Sequence, residues 1–214
     1  GTAVFSGTTL EITSDNKGIS SHGDLEISGG DITIHSCTEG VESKAEMTIS
    51  GGNVRILDAS DDGLNTGGSD SGSYAMTITG GTLLALSSKG MMEYPESGCL
   101  IATNCNAAAG EQISIVDKNG TVLATLQSPK AVSDVIYGIG DSDSADYTIV
   151  TGGTYDGTLN EDGYGEGGSV SGGTEVTANG GTGSMNGGAP AGGGQGGTPP
   201  EMPNLNNSGG NTAS

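Results

Sequence analysis

The acidic side chains between Asp58 and Asn65 are the residues of this chain best suited to chemistry. When the internal repeats of the sequence are aligned, Asp62 falls over Glu39 and Asn65 falls over Glu42. Two carboxylates stacked about 5 Å apart repel each other by roughly 3 kcal/mol at an effective dielectric constant of about 20, so a cation should neutralise them. Calcium is the natural choice, because it takes about six to eight oxygen ligands. The predicted metal ligands are Asp58, Asp61, Asp62, Glu39 and Glu42.

The same residues allow a metal-free interpretation, which stays open. Lys17, Glu39, Asp62 and Lys89 occupy one position in successive repeats, so the lysines could neutralise the acids through ion pairs between repeats. Asp61 and Asp62 could also be turn residues whose side chains accept hydrogen bonds from nearby backbone. The EF-hand motif and the Gly-rich nonapeptide calcium repeat are both absent from the sequence, so generic motifs do not decide between these interpretations.

An internal repeat positions these side chains. The sequence Leu-Glu-Ile-Ser-Gly-Gly at 25–30 recurs as Met-Thr-Ile-Ser-Gly-Gly at 47–52 and as Met-Thr-Ile-Thr-Gly-Gly at 76–81, which gives intervals of 22 and 29 residues. An insertion over 67–74 accounts for the longer interval. Each repeat contains three short runs of alternating apolar residues separated by glycines. This pattern is typical of β-strands, in a unit too short to include a helix.

The repeat predicts an all-β fold, a parallel β-helix of about four coils over residues 1–92. In such a fold, equivalent strands of successive coils stack about 4.8 Å apart, and their inward residues form aliphatic ladders. A β-sandwich of short strands is the alternative, but it gives no reason for a fixed repeat. Three ladders are predicted: Ile19, Val41, Leu64 and Met91; Leu25, Ile27, Met47, Ile49, Met76 and Ile78; and Leu10, Ile12, Ile32, Ile34, Val54 and Ile56.

The period fades further along the chain, and a different module is predicted over 93–178. Residues 112–126 form two alternating runs on either side of Lys-Asn-Gly, which predicts a β-hairpin. Further strands are expected at 131–137 and 147–150, where they would pair with and cover the last coil, since the open end of a stacked fold needs protection. The Gly- and Pro-rich segment 179–214 has almost nothing to bury and is predicted to be a disordered linker.

Composition and charge narrow the range of partners. The chain has 26 acidic and 6 basic residues, for a net charge of -20, so cations are expected as partners and nucleic acid is not. No apolar run approaches the roughly 20 residues needed to span a membrane. Cys37, Cys99 and Cys105 match neither a zinc site nor a disulfide framework. Cys99 and Cys105 could pair across a short loop, and Cys37 is predicted to be a small buried residue.

Taken together, the motifs resemble a known family. Lys-Gly-Ile-x-Ser-x-Gly-Asp-Leu-x-Ile-x-Gly-Gly at 17–30, Glu-Gly-Val-Glu-Ser-Lys at 39–44, Ala-Ser-Asp-Asp-Gly-Leu-Asn at 59–65 and the Gly/Pro-rich tail are similar to bacterial carbohydrate-binding β-helix proteins related to pectate lyases. The resemblance spans residues 10–155. It implies a right-handed β-helix, an extracellular or cell-surface location, bound calcium, and binding of polygalacturonate, pectin and related plant cell-wall polysaccharides.

Binding of a polyuronate by so acidic a chain requires a cation, because charge attraction alone would fail. Calcium shared between protein carboxylates and sugar carboxylates removes this conflict. The residues expected to contact the ligand are Tyr74, Lys44 and Asn65. Tyr74 lies beside the insertion and could stack on a sugar ring, although a tyrosine at a strand edge equally suits packing.

Two other functions stay open at this point. A pectate lyase needs a base close to its metal, and Lys44 is the candidate, although no catalytic residue is assigned. Arg55 is the only arginine, and it falls with Glu11 and Thr33 in an outward column that is not aimed at the acidic run. The other function is a structural stalk without a ligand, for which solenoids are well suited.

Overall fold

The computed structural model describes residues 1–67, 74–89, 93–95, 97–140 and 147–180. Over these residues the protein is all-β, as predicted, and it has no helix long and apolar enough to cross a membrane. The strands are β1 (Ala3–Thr13), β2 (Lys17–Ser21), β3 (Leu25–Ser36), β4 (Glu39–Ser43), β5 (Met47–Ala59), β6 (Leu64–Thr66), β7 (Met76–Ser87), β8 (Cys99–Ala102), β9 (Gln112–Asp117), β10 (Val122–Gln127), β11 (Asp134–Gly138), β12 (Tyr147–Thr151), β13 (Thr154–Tyr155), β14 (Tyr164–Gly165), β15 (Val170–Ser171), β16 (Thr174–Val176) and β17 (Asn179–Gly180).

The repeat region forms two parallel sheets from alternating segments of the chain. The long strands β1, β3, β5 and β7 lie side by side in that order, and the short strands β2, β4 and β6 form the second sheet. Leu25 pairs with Met47, and Met47 pairs with Met76. The register between repeats therefore follows the 22- and 29-residue intervals of the sequence, as predicted.

The strands are longer than the sequence predicts. β3, β5 and β7 each run through a Gly-Gly pair, where the repeat pattern suggests a turn between two short strands. The pairing is irregular beside these glycines. Gly52 has a φ of +82°, and a Cβ atom there would lie 2.6 Å from the carbonyl oxygen of Gly30. Glycine is thus required, and it bends the strand without ending it, because it tolerates positive φ and close backbone approach.

The first core lies inside the repeat region and contains the predicted ladders. Their described members are buried, except for Leu10 and Ile12 of the edge strand β1, which are partly buried. Met91 lies outside the described residues. Burying one such aliphatic side chain contributes about 1.5–3 kcal/mol, so the ladders are the main stabilising feature of this region.

A second core covers the outward face of the long-strand sheet. Leu57, Leu84 and Leu86 point away from the first core and pack in a cluster with apolar residues of β9, β10 and β12. These strands belong to a five-stranded sheet in the order β14-β10-β9-β12-β16, which includes the predicted hairpin of β9 and β10. The hairpin therefore covers the side of the repeat region. As expected for 131–137, β11 pairs with β7, and β8 and β17 extend that sheet. The pairing expected for 147–150 is wrong, because β12 pairs with β9 and β16 of the five-stranded sheet and not with the last repeat.

The three cysteines are buried, and the Gly- and Pro-rich segment begins with a short strand. All three cysteines are buried thiols, so the open pairing of Cys99 with Cys105 is not made, and the prediction for Cys37 is confirmed. Burial, followed by the charge of Asp58, raises the pKa of the Cys37 thiol to about 12. Of the predicted linker, Asn179–Gly180 forms a strand, and residues 181–214 lie outside the described residues.

Candidate functional site

The acidic turn, which we define as residues 58–62, joins the end of β5 to β6. Backbone hydrogen bonds stack it on the preceding repeat: Asp61 N–H donates to the Thr38 carbonyl at 2.9 Å, and Gly40 N–H donates to the Asp62 carbonyl at 2.8 Å. In the adjoining strands Glu42 pairs with Asn65. The alignment of acidic residues between repeats is thus the one that the sequence predicts.

Glu42 is the most deeply buried acid of this region, with 1% of its side chain exposed. Its carboxylate accepts hydrogen bonds from Lys17 and Lys44 and from Ser20 Oγ at 2.7 Å. Burial by itself would raise the pKa of Glu42, but these three donors outweigh burial and lower it to about 2. Lys17 Nζ also lies 2.9 Å from Glu39 Oε2. Glu42 is therefore charged, and lysines form ion pairs with both Glu42 and Glu39.

Lysines also reach the acidic turn. Lys130, from the segment between β10 and β11, places its Nζ 2.7 Å from Asp58 Oδ2, and Lys89 Nζ lies 3.3 Å from Asp61 Oδ1. The ion pairs between repeats that the metal-free interpretation requires are thus present, although Lys89 pairs with Asp61 and not with Asp62.

Some carboxylate oxygens of the acidic turn are buried without a partner. Asp58 Oδ1 and Asp62 Oδ1 accept no hydrogen bond from any part of the chain that the structure describes. Burial is the main cause that raises the pKa of Asp62 to about 7, followed by the charges of Asp61, Glu39 and Glu93. Near neutral pH, the surroundings of Asp62 therefore compensate only part of its negative charge.

The acidic turn fits calcium only in part. The unpartnered oxygens are what an oxygen-seeking cation would satisfy, and Asn65 follows the turn in β6, where it pairs with Glu42. However, among the described residues no three His, Cys, Asp or Glu side chains are grouped so that they could hold a metal ion. Lys130 and Lys89 already pair with Asp58 Oδ2 and Asp61 Oδ1, so their positive charges would compete with a calcium ion. The calcium site stays a prediction.

The predicted ligand contacts are dispersed around this region. Lys44 forms its ion pair with Glu42 and keeps 38% of its side chain exposed. Tyr74 is exposed, and its carbonyl oxygen accepts a hydrogen bond from Thr66 Oγ1 at 3.0 Å at the end of β6. Thr66 Oγ1 also lies 2.8 Å from Glu93 Oε2, and the Thr66 backbone N–H donates to the same oxygen. Glu93 joins the acidic surroundings of Asp62, although the repeat pattern does not reveal it.

A second polar site lies on the outward face of the long-strand sheet. We call it the Arg55 cleft, an open cavity of about 520 Å³. One wall is the column of Glu11, Thr33 and Arg55 on β1, β3 and β5, which the sequence predicts to face outward. The other wall is the loop 158–166 that precedes and includes β14. The lining residues are Glu11, Thr33, Arg55, Leu57, Thr158, Leu159, Asn160, Asp162, Tyr164, Gly165 and Glu166.

Arg55 joins the two walls of the cleft. Its guanidinium carbon lies 5.1 Å from the centre of the Tyr164 ring, a cation–π geometry, and its Nη2 lies 3.6 Å from a Glu166 carboxylate oxygen. The Tyr164 hydroxyl donates to the same carboxylate. The pairing of β14 with β10 at Leu126 and Thr125 sets the position of Tyr164.

His35 makes a second connection between the walls. Its Nδ1 lies 2.8 Å from Asp162 Oδ1, and its Nε2 lies 2.6 Å from Glu11 Oε2. Burial lowers the pKa of His35, but the two carboxylates outweigh this effect and raise it. Protonated His35 therefore holds Glu11 and Asp162 together, although His35 and Asp162 are 127 residues apart in the sequence.

A protein-family model with the description "Carbohydrate-binding domain-containing protein" matches residues 3–191. The chain belongs to this carbohydrate-binding family. No curated protein and no solved structure matches the chain. The family supports a polysaccharide partner, which agrees with the general class of ligand predicted from the sequence motifs.

The acidic turn and the Arg55 cleft are two candidate surfaces for carbohydrate binding. The acidic turn is visible in the sequence because its residues are contiguous and repeat. The cleft is not, because Asn160, Tyr164 and Glu166 lie in a Gly-rich stretch without a period. The outward column of Glu11, Thr33 and Arg55 is the one sequence signal of the cleft, and it gives no sign of the loop that faces it.

Proposed function

We propose that this protein binds acidic plant cell-wall polysaccharide, polygalacturonate or pectin, in a calcium-dependent manner, outside the cell or at the bacterial cell surface. The proposal is carried by Asp58 Oδ1 and Asp62 Oδ1, which are buried without a partner among the described residues, in a member of a carbohydrate-binding family. A buried carboxylate oxygen without a partner is unfavourable, and a divalent cation would satisfy it.

The proposed scaffold is a right-handed parallel β-helix related to that of the pectate lyases. In its support, the chain alternates between a long strand and a short strand, and equivalent strands pair in parallel at the repeat interval. The inward residues of both sheets belong to one apolar cluster. Right-handed crossovers are the rule between parallel strands, which supports the proposed hand.

Each group in the acidic turn has a defined part in this proposal. Calcium, when bound, would supply a positive charge shared by protein and uronate carboxylates. Asp58, Asp61 and Asp62 supply carboxylate oxygens, and Asn65 supplies an amide oxygen from the adjoining strand. Lys44 and Lys89 are 38% and 60% exposed, so their ammonium groups can donate hydrogen bonds to an anionic sugar at the rim of the site.

The test combines calorimetry with a pull-down. We expect calcium to bind the purified protein, and polygalacturonate to retain it with calcium but not with excess chelator. Asp61→Asn and Asp62→Asn remove one charge each from the turn and should abolish both signals. Asp24→Asn makes the same chemical change at an exposed position away from the turn and should leave both intact.

Two results oppose the proposal. If calcium produces no heat, the lysine pairs are the whole function of the acidic turn. If calcium binds but polygalacturonate is retained equally in chelator, the metal is structural and the polysaccharide contacts another surface.

Measurements on the same samples distinguish the proposed function from a lyase and from a structural stalk. A lyase would generate ultraviolet-absorbing unsaturated uronates, and Lys44→Met would stop their release. Lys44, the candidate base, forms an ion pair with Glu42, so no observation favours the lyase reaction. A stalk would bind no polysaccharide with or without calcium.

A further inference from the structure

The Arg55 cleft is built as a binding site independent of the acidic turn. Its two walls come from the long-strand sheet and from the loop 158–166, and they enclose about 520 Å³ that is open to solvent. Cavities of this size suit a small ligand or one segment of a polymer. The cleft contains hydrogen-bonding side chains of several kinds, namely carboxylates, an amide, a guanidinium and a hydroxyl.

The walls of the cleft are held in place without a ligand. The Arg55 guanidinium fixes Tyr164 and Glu166, and His35 fixes Glu11 and Asp162. Asn160 orders the loop itself, because its Oδ1 accepts backbone hydrogen bonds from Asp162 at 3.0 Å and from Tyr164 at 2.9 Å. A ligand therefore meets a preorganised site and needs to order little of the protein.

We propose that the Arg55 cleft binds an uncharged, hydroxyl-rich saccharide unit of a polysaccharide, without the help of a metal ion. This inference rests on carbohydrate binding as the family's function, but it does not depend on calcium or polygalacturonate.

The charge of the cleft selects this class of sugar. Glu11, Asp162 and Glu166 contribute three carboxylates, and Arg55 and protonated His35 contribute two positive charges, so the cleft keeps a negative charge that would repel a uronate carboxylate. Sugar hydroxyls, by contrast, donate hydrogen bonds to carboxylates, and such charge-assisted bonds are roughly twice as strong as neutral ones. The exposed Asn160 uses its Oδ1 on the loop backbone, so its Nδ2 group serves as a donor to a sugar oxygen.

The polar surface continues beyond Arg55, as a polymer requires. A smaller cavity of about 160 Å³ shares Arg55, Tyr164 and Glu166 with the cleft and extends over β5 and β7 to Asn53 and Thr82. There Thr82 Oγ1 donates to Asn53 Oδ1 at 2.6 Å, which makes a row of polar groups across neighbouring strands. A chain of sugar units can follow this row, since its direction is the stacking direction of the strands.

The experiment is affinity electrophoresis of the full chain in gels that contain xyloglucan, galactomannan or mixed-linkage β-glucan, with excess chelator throughout. We expect at least one of these neutral polymers to retard the protein. Glu166→Gln keeps the shape of the side chain but removes the charged acceptor, and it should weaken binding about tenfold. Asn160→Asp keeps the acceptor that orders the loop but removes the Nδ2 donor, and it should weaken binding roughly fivefold.

Controls separate this site from the acidic turn and from unfolding. Glu175→Gln makes the same charge change at an exposed position of β16 and should bind like the wild type. If Glu166→Gln lowers the melting temperature strongly, Asn160→Asp decides the test. The inference is overturned if no neutral polymer retards the wild type, or if both cleft variants bind like Glu175→Gln. Failure of calcium-dependent polygalacturonate binding would leave it standing.

Discussion

The acidic turn and the Arg55 cleft are both rich in carboxylates, yet the chain assembles them in different ways. The turn takes Asp58, Asp61 and Asp62 from one short run and stacks them on the same position of the preceding repeat. The cleft joins Glu11 and Arg55 of the repeats to the loop 158–166 from the other module. The position of the acidic turn depends on the pairing register of the repeat strands around the first core. The cleft, in contrast, forms because the five-stranded sheet packs on the long-strand sheet through the second core.

The two regions also differ in how their charge is balanced. Between the strands of the repeat region, Lys17 bridges Glu39 and Glu42, and Lys44 also pairs with Glu42. In the cleft, a single arginine and a histidine oppose several acids and join two walls. The strands that carry Lys17 and Glu42 therefore balance this charge between neighbouring repeats, while the cleft uses its cations to hold separate segments together.

The largest expected effect tests the dependence of the cleft on the second core. Leu86→Ala removes a side chain that is 1% exposed and packs between the long-strand sheet and the five-stranded sheet. We expect the free energy of unfolding to fall by about 3 kcal/mol, because the change leaves a cavity. Chemical denaturation measures the loss. Leu123→Ala, at a partly buried position of the same cluster, should cost about 1 kcal/mol. Equal losses would contradict this ranking.

The next effect concerns charge balance in the repeats. Glu42→Gln leaves Lys17 and Lys44 without their shared buried carboxylate and should lower the free energy of unfolding by about 2 kcal/mol. The cost is below that of a fully buried ion pair, since both lysines keep access to water. Glu39→Gln is the matched control, because Glu39 is 20% exposed, and it should cost under about 1 kcal/mol. Urea denaturation compares the two, and a larger loss for Glu39→Gln would oppose the assigned roles.

The smallest effect is a pH dependence in the cleft. The pKa of His35 is raised above its ordinary value of 6.5, so the stability it contributes is fully present below pH 6.5 and is lost as pH rises through the pKa of the folded state. Because the pair is partly exposed, we expect less than about 1 kcal/mol. Melting curves between about pH 6 and pH 8 should show a larger decline for the wild type than for His35→Gln. Parallel declines would show that His35 does not hold Glu11 and Asp162 through charge.

Much of the repeat region could be predicted from the sequence. The alternation of apolar residues and the recurrence of Gly-Gly give the register of Leu25, Met47 and Met76 without any structure. The number of strands per repeat could not be predicted correctly, because a glycine pair is compatible with a turn and with a bent strand. Only the backbone at Gly52, with its positive φ and its approach to Gly30, decides between them.

The candidate sites were predictable to different degrees. The stacking of the acidic turn on Glu39 and Glu42 follows from the repeat alone. The lysine that reaches Asp58 does not, because Lys130 lies in another module and outside the period. The apolar run Leu83-Leu84-Ala85-Leu86 does signal a second core, since both faces of that strand are apolar, but it does not say which segment covers it.

The sequence by itself determined that the protein is all-β, that its repeats stack with inward aliphatic ladders, and that acidic residues accumulate in one turn. These features depend on contacts between residues that are close in the sequence or separated by one repeat, and a periodic sequence pattern reveals such contacts. The tertiary structure alone decided that Lys130 neutralises Asp58, where the second sheet docks, and that Arg55 meets Tyr164 and Glu166. Those contacts join segments of unrelated sequence, and they form only when two apolar faces are buried against each other.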